Sequence, residues 1–363
     1  MNKTIHRESS FELLRIICML FIIWGHLVNK YSVQEPILGL NYLECHVIKS
    51  FTIVAVNVFV LISGYFSISF KLLRILKLGQ LTWFYSVALL LLTIISGWHS
   101  FNYSDFSFLF PIFSMKYWFI TTYIILYILS PCLNQLALSL SKDKFKSILL
   151  IGIFIIYIWH TMSFLLFTNR PIDDAGYGVP NFIYLYLLGR YSKLHSNILE
   201  KKQNFLLLYV ITSVSLFIFQ LIYSLIVGFS FTSLFSYNTI FVFFGSLSLF
   251  IFFAKREIGY NSFINNWAKY CLAVYIIHMH PLIWNKICDF IQIAYIPSEW
   301  FIPYSLLIIT ILYFTLAFIE KVRLYFFNEI ENKINNQIMR TNIARKIENR
   351  IKLNEYSPIT KNT

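Results

Sequence analysis

Repeated long apolar runs constrain this chain more than any other feature. Runs of roughly 17 to 25 residues, the length a helix needs to cross a bilayer, begin near Phe11, Lys49, Gly79, Tyr117, Ser147, Pro180, Asn204, Asn238, Trp267 and Phe301. The composition, 58% hydrophobic and 13% charged, is far from that of soluble proteins. The sequence therefore predicts an all-α polytopic membrane protein, a bundle of about ten transmembrane helices.

Lysine and arginine residues follow every second predicted span, and the intervening loops contain few cations. The basic groups are Lys3, Arg7 and Arg15, then Lys71, Arg74 and Lys77, then Lys142, Lys144 and Lys146, then Arg190, Lys193, Lys201 and Lys202, then Lys255 and Arg256. By the positive-inside rule, both termini are predicted to be cytoplasmic. The formal charge of +13 then indicates loops held against an anionic leaflet, and no nucleic-acid partner is expected.

The last part of the chain differs in pattern from the apolar runs. Isoleucines recur at helical spacing between Lys, Arg and Asn residues, at Ile330, Ile334, Ile338, Ile343, Ile347 and Ile351. This pattern favours a basic amphipathic helix on the inner leaflet, although a solvated helix or a coiled-coil seam fits it equally well. We therefore divide the chain into a transmembrane domain, residues 1–321, and a cytoplasmic tail, residues 322–363.

The first span contains two residues that are costly in a hydrocarbon environment. In RIICMLFIIWGH, Arg15 and His26 are eleven positions apart, which places them on nearly the same helix face. Glu12, three residues before Arg15, is placed to pair with it. An imidazole is the natural proton acceptor for an alcohol near neutral pH. The alternatives are that Arg15 snorkels to the headgroups and that His26 bonds a neighbouring helix.

Other polar residues inside the predicted spans have structural alternatives too. Asn57, Ser63 and Gly64 lie in the second span, where small residues usually indicate close helix packing, and no GxSxG motif supports a nucleophilic serine. Lys71 and Arg74 come directly after this span. They either mark its cytoplasmic end or bind a phosphorylated ligand. 

The ninth run contains two histidines, His278 and His280, followed by Pro281. Residues at i and i+2 do not share a helix face, and the run has no carboxylate partners, so we predict no metal site. Cys45 and Cys288 fall in predicted outer loops, where a disulfide is the alternative to simple packing.

Four segments resemble the acyltransferase-3 family of bacterial membrane acyltransferases, which O-acylate, usually O-acetylate, cell-surface and exported glycans. The segments are ELLRIICMLFIIWGH, NVFVLISGYF, YWFITTYIILYILSP and VYIIHMHPL. The first matches the family's acidic-x-x-Arg and Arg-x10-His pattern, and the second its Phe-x-x-x-Ser-Gly segment. The resemblance extends from about Phe11 to Lys321.

The resemblance implies roles for particular residues. His26 would be the catalytic histidine, with Arg15 as its motif partner and Glu12 as the acidic residue of the motif. KLLR, Lys71 to Arg74, matches the basic-x-x-Arg element, with lysine where arginine is commoner, and implies donor binding there and at Arg190. The substrate pocket is then expected among Asn57, Ser63, Gly64, Trp118, Tyr123, Tyr275, His278 and His280.

The resemblance also implies partners and a location. Acetyl-CoA or another acyl-CoA would be a co-substrate rather than a bound cofactor, and the acceptor a sugar hydroxyl of a lipid-linked, capsular or exported glycan. The protein would span the bacterial cytoplasmic membrane. We expect transfer to be completed within the membrane domain or passed to another protein. The sequence leaves open direct attack on the thioester or an acyl-histidine intermediate.

Three other classes of protein fit parts of the sequence. A transporter or flippase of lipid-linked sugars would use intramembrane Arg and His as a polar path, but it predicts inverted halves with broken helices in matching positions. A membrane polymerase of glycan repeats would usually have a large polar outer loop. A sensory or scaffold function would not explain why Arg15 and His26 lie on one face of a membrane helix.

Overall fold

Helices form the regular secondary structure in the part of the chain that the computed structural model describes, residues 9–32, 38–166, 174–195, 202–228, 233–291, 296 and 298–352. No strand occurs among these residues, which confirms the predicted all-α class. The helices are α1 (Ser9–Ser32), α2 (Leu40–Thr52), α3 (Ala55–Tyr65), α4 (Leu72–Ile95), α5 (Trp118–Ser139), α6 (Lys142–Gly152), α7 (Trp159–Leu165), α8 (Val179–Leu194), α9 (Phe205–Val227), α10 (Ile240–Ala254), α11 (Ser262–Ala268), α12 (Cys271–His278), α13 (Pro281–Ile291), α14 (Ser298–Arg340) and α15 (Asn342–Lys352). Lys3, Arg7 and Lys201 of the predicted basic groups lie outside the described residues.

Within the described part, 7 helical stretches are long and apolar enough to cross a membrane, judged by length and composition. They are Ser9–Lys30, Leu40–Tyr65, Leu72–Ile95, Trp118–Ser139, Lys142–Leu165, Phe205–Val227 and Glu299–Arg340. Helix α10 is apolar but shorter. These stretches agree with a multi-pass membrane protein. The count of about ten spans and the cytoplasmic position of both termini stay predictions.

The second stretch begins earlier than the sequence predicts. A start near Lys49 is expected from the apolar run, but α2 begins at Leu40 and continues through a short turn at Ile53 into α3. Lys49 therefore lies inside the stretch and not at its flank. The prediction was wrong because a charged residue ends an apolar run in the sequence, whereas α2 buries Cys45 and Ile48 and continues on both sides of the lysine.

The predicted ninth run near Trp267 is not a single helix. Helices α11, α12 and α13 replace it, and the break between α12 and α13 directly precedes Pro281. A proline lacks an amide hydrogen and clashes with the preceding turn, so it begins a helix readily and does not continue one. As a result, α12 ends at His278, and Pro281 begins α13.

The predicted loop positions of Cys45 and Cys288 are wrong. Cys45 lies in α2 and Cys288 in α13, both are buried, and no disulfide joins them. Both thiols lie on the buried, apolar faces of these helices. The two cysteines are therefore packing residues, as the alternative interpretation predicts.

Helix α1 lies between two hydrophobic clusters. Phe11 and Leu14 pack in the cluster that α3, α8 and α10 dominate. Ile16 and Ile23 pack in the second cluster, with α12 and α14. Because close packing on two sides leaves little freedom of rotation, these contacts determine the direction in which α1 presents Arg15 and His26.

Helices α3 and α8 cross at two glycines. A Cβ atom on Gly64 would lie 2.1 Å from the carbonyl oxygen of Tyr186, and one on Gly189 would lie 2.3 Å from the carbonyl oxygen of Leu61. No side chain fits at such distances, so each helix needs glycine at the crossing. The close crossing places the C-terminal end of α3 against the middle of α8.

Helix α14 continues beyond the predicted end of the membrane domain. It passes Lys321 without a break and ends at Arg340. In this extension, the Asn335 amide donates to Gln80 Oε1 at 2.8 Å and Lys77 Nζ donates to Asn332 Oδ1 at 3.1 Å. The extension is therefore attached to α4 by polar contacts.

Candidate active site

His26 lies in the wall of a cavity of 340 Å³. The lining residues are Phe21, Ile22, Gly25, His26, Asn29, Lys49, Thr52, Ile53, Ala55, Val56, Tyr177, Phe235, Ser236 and Tyr237. Those from α1 recur at spacings that place them on one side of the helix. The volume is within the range of small-molecule sites in proteins.

His26 has two aromatic neighbours from the broken helix pair α12 and α13. Its ring centroid lies 5.8 Å from that of His278 and 6.2 Å from that of Trp284, and the last two rings are 5.7 Å apart. His278 is the last residue of α12 and Trp284 lies in the first turns of α13. The break before Pro281 therefore brings both rings to His26.

The hydrogen bonding of His278 determines which of its nitrogens carries the proton. Nδ1 lies 2.7 Å from the carbonyl oxygen of Val274, and a carbonyl can only accept, so Nδ1 donates. Nε2 is then an acceptor. It is buried, and no hydrogen-bond partner for it lies among the described residues. A buried acceptor beside His26 is thus available.

Two asparagines support the part of the cavity wall that Tyr177 and Tyr237 form. Asn57 donates to the carbonyl oxygen of Tyr237 at 2.7 Å, and Asn181 donates to that of Gly176 at 2.9 Å. The rings of Tyr177 and Tyr237, which line the cavity, are 4.8 Å apart. Trp118 packs behind them, 4.6 Å from Tyr177 and 5.6 Å from Tyr237. Of the predicted pocket residues, Asn57 and Trp118 thus support this wall.

A row of side chains, Tyr123, Phe119, Tyr275 and His278, connects Ser63 to His26. The Ser63 and Tyr123 hydroxyls are 3.2 Å apart. The distances between successive ring centroids are 5.8 Å from Tyr123 to Phe119, 5.5 Å from Phe119 to Tyr275 and 5.9 Å from Tyr275 to His278. We call these four residues the aromatic row. It joins three of the predicted pocket residues and ends beside His26.

The predicted donor-binding cations lie at the other end of α3. The backbone N–H of Lys71 donates to the Tyr127 hydroxyl at 3.0 Å, and Tyr127 donates to the carbonyl oxygen of Ser69 at 3.0 Å. The Tyr186 hydroxyl accepts from the N–H of Ile68 at 3.0 Å. Tyrosines of α5 and α8 thus fix the short segment that leads into α4.

The three cations differ in exposure. Lys71 and Arg74 are exposed, whereas Arg190 is buried and lies one turn after Tyr186 in α8. The Arg190 Nε atom is buried without a hydrogen-bond partner among the described residues. The structure therefore brings Lys71, Arg74 and Arg190 to one end of the α3–α8 pair.

Glu12 and Arg15 form the predicted ion pair, with Arg15 Nη1 2.5 Å from Glu12 Oε1. This confirms the pairing of these residues. Phe11, at the start of α1, packs edge-to-face against Phe66 with centroids 4.8 Å apart. The start of α1 and the end of α3 are therefore at the same end of the molecule as Lys71. Arg15 does not line the His26 cavity, which lies about 16 Å further along α1.

None of the eight predicted pocket residues is among those that line the cavity. Two of them, Gly64 and His280, also lie outside the supporting wall and the aromatic row. Gly64 faces the backbone of α8, as described above, which agrees with the packing alternative. His280 stacks on Phe108 with centroids 5.0 Å apart, donates from Nε2 to the carbonyl oxygen of Ser86 and accepts at Nδ1 from the N–H of Leu282. Both of its nitrogens are bonded, and it supports the segment that leads into α5.

Sequence reasoning missed Lys49, Tyr177, Tyr237 and Trp284 as residues around His26. Trp284 follows His278 in the same segment, HMHPLIW, and the proline between them was the available signal. The apolar pattern predicts Lys49 at the flank of a span. Tyr177 and Tyr237 are in connecting segments distant in sequence, and no local pattern marks them.

The fold and this site define a multi-pass membrane protein with a histidine-lined polar site inside its helix bundle. The family model named acyltransferase domain, of the acyltransferase-3 family, matches residues 8–320. The chain therefore belongs to this family and is a membrane acyltransferase. Comparison with curated protein sequences and with solved structures found no match.

Proposed function

We propose that this protein transfers an acetyl or other short acyl group from acyl-CoA to a hydroxyl of a cell-surface, capsular or exported glycan, with His26 as general base. The observation that carries the proposal is the cavity at His26, where the imidazole lies beside a buried acceptor, His278 Nε2. Such a pair suits proton abstraction from an alcohol.

In this mechanism the two nitrogens of His26 act separately. One removes the proton from the acceptor hydroxyl, and the resulting oxygen attacks the thioester carbonyl. The other would donate its hydrogen to the unpartnered His278 Nε2 atom once the two rings, whose centroids are 5.8 Å apart, approach in the substrate complex. The ring would then keep the tautomer with a free lone pair towards the acceptor. After collapse of the tetrahedral intermediate, the proton on His26 passes to the leaving CoA thiolate.

The donor would bind across the molecule. Its phosphates suit Lys71, Arg74 and Arg190, because charge-assisted hydrogen bonds to phosphate are strong. The acyl end would reach the cavity along the aromatic row, over a distance of about 16 Å along the eleven residues of α3. This arrangement needs the basic end to be cytoplasmic and the cavity to lie towards the outer face, as the loop charges predict.

The proposal is tested by analysing the surface glycan of cells that lack the protein. Complementation with the wild type should restore O-acyl groups detectable by NMR or mass spectrometry, whereas His26→Gln should restore less than about 1% of them, because the loss of a general base costs 10²–10⁴-fold in rate. His160→Gln is a matched control, since His160 is another buried histidine and packs against Phe164 in α7, outside the cavity.

Persistence of the O-acyl groups in the deletion, or their full return with His26→Gln, would overturn the proposal. Purified protein with acetyl-CoA and the de-O-acylated glycan separates it from transport, because acyl transfer releases a free CoA thiol in detergent, where no membrane compartments exist.

A further inference from the structure

The His26 cavity contains a lysine that the proposed mechanism does not use. Lys49 lines the cavity from α2, inside the candidate membrane stretch Leu40–Tyr65. Its ammonium group donates to Asn29 Oδ1 at 2.6 Å and lies 4.7 Å from the ring centroid of Phe235. The protein thus offers the ammonium group one amide oxygen and one aromatic ring face.

No carboxylate partners this cation in the described part of the chain. The ion pairs found there do not include Lys49, and its ammonium has no second hydrogen-bond acceptor among the same residues. An ammonium group has three hydrogens to donate. A cation inside an apolar segment is costly unless it is paired, and such residues usually mark a substrate site.

The cavity wall around Lys49 is polar but carries no acidic group. Its other polar side chains are the hydroxyls of Thr52, Ser236, Tyr177 and Tyr237, together with Asn29 and His26. Hydroxyl groups and aromatic faces suit a sugar. The single lysine adds a positive charge that a neutral sugar leaves unpaired.

Lys49 is also close to the reacting position. It lines the same cavity as His26, from the facing helix α2. Helices α1 and α2 are in close contact there, since a Cβ atom on Gly25 would lie 3.2 Å from Thr52 Oγ1. A cavity of 340 Å³ holds a small molecule and not a long stretch of glycan. A group bound to Lys49 must therefore be part of the acylated residue or of its neighbour.

We propose that the acceptor is anionic and that Lys49 binds a carboxylate or phosphate oxygen carried beside the hydroxyl that is acylated. This rests on the proposed function and defines its acceptor class. The charge-assisted hydrogen bond selects acidic acceptors, since a neutral glycan brings no counter-charge to the ammonium. The oxyanion comes either from an acidic sugar or from a phosphate group of the glycan.

The first test is the structure of the O-acylated residue itself. NMR of the glycan should show a carboxylate or a phosphate on that residue or on the one next to it, and which of the two groups is present identifies the source. If the acyl group is on a neutral residue with neutral neighbours, the inference is wrong. This measurement uses the wild type and does not depend on the folding of any variant.

The second test compares variants in purified, full-length protein with acetyl-CoA and the de-O-acylated glycan. Lys49→Gln should lower kcat/KM for the glycan by about tenfold or more, as the loss of a hydrogen bond to a charged group implies, and Lys49→Arg should retain most of it. Lys30→Gln is the matched control. It removes the same charge from an exposed pair with Asp289 outside the cavity lining, and a change of less than about twofold is expected.

Failure of this inference is distinguishable from failure of the proposed function. If Lys49→Gln behaves like Lys30→Gln while His26→Gln is inactive, the acyltransferase proposal stands and the role of Lys49 is wrong. If neither the deletion nor His26→Gln changes the O-acyl content, the proposed function fails first.

Discussion

At the residue scale, the proposed mechanism depends on which nitrogen of His278 carries the proton. The bond from Nδ1 to Val274 leaves Nε2 as an acceptor. An acceptor there favours the His26 tautomer that keeps a lone pair for the substrate. His278 thus acts as a positioning residue in the proposed mechanism, since it touches His26 and not the reacting atoms.

This role predicts different results for two variants of similar volume. His278→Gln retains a side-chain acceptor and should keep a substantial part of kcat, whereas His278→Leu should lower kcat by about 10²-fold, because general-base catalysis is lost. KM for acyl-CoA should stay unchanged in both. Equal losses in the two variants, or a loss expressed in KM, would indicate that His278 only fills space. Steady-state release of CoA thiol measures both parameters.

At the element scale, the crossing of α3 and α8 determines the distance between the basic end and the cavity. Gly64→Ala should destabilise the protein by about 1–3 kcal/mol or more, because the added methyl group would overlap the backbone of α8. The midpoint of thermal unfolding in detergent measures this.

Gly79→Ala is the control for the change of glycine to alanine in a helix. A Cβ atom there would meet only Ile112 Cδ1, at 3.7 Å, and alanine is the better helix former by about 1 kcal/mol. The control should leave the midpoint unchanged or raise it. Destabilisation by both variants would show that the crossing is not the cause.

The segment between α4 and α5 contains a carboxylate whose ionisation is linked to folding. Burial favours the neutral form of Asp105, but the N–H of Asn102 and the ring of His99, each 2.8 Å from Oδ2, outweigh it, and the pKa of Asp105 is below its usual value. A lowered pKa means that the carboxylate stabilises the folded protein above about pH 4. The contribution is lost as the pH falls further.

Asp105→Asn should therefore lower the midpoint of thermal unfolding at pH 7, and the gap to the wild type should narrow as the pH is reduced to about 3. Unfolding curves of both proteins at several pH values check this. A gap that is the same at pH 7 and pH 3 would mean that the ionisation of Asp105 contributes nothing.

At the scale of the whole molecule, α14 ties its extension to α4 through a buried ionic cluster. Glu320 accepts from the Tyr85 hydroxyl at 2.7 Å and from Arg323 Nε at 2.7 Å, and Arg323 also pairs with Glu331. The guanidinium lies 5.1 Å from the ring centroid of Phe84. The predicted boundary at residue 321 falls inside this cluster.

Arg323→Met should destabilise the protein by about 3–5 kcal/mol, because it leaves Glu320 buried without its counter-charge. The double variant Glu320→Gln/Arg323→Met removes both charges and should recover part of the loss. Thermal unfolding of the three proteins in detergent measures the effect. A double variant that is as unstable as Arg323→Met alone would exclude this explanation.

The sequence by itself determined the properties that follow from one segment at a time. The helical class, the Glu12–Arg15 pair and the common face of Arg15 and His26 depend on helical periodicity and apolar length, which act locally. The residues RIICMLFIIWGH therefore identified one candidate base before any fold was known.

Only the tertiary structure decided what surrounds His26. His278 and His280 are two residues apart, yet the break before Pro281 sends one to His26 and the other to Ser86. Lys49, Tyr177 and Tyr237 meet in one cavity from three distant segments, because packing of α1 against α2 and the hydrogen bond from Asn57 to Tyr237 bring them there. Such contacts depend on side chains far apart in sequence, and no periodicity within a single helix encodes them.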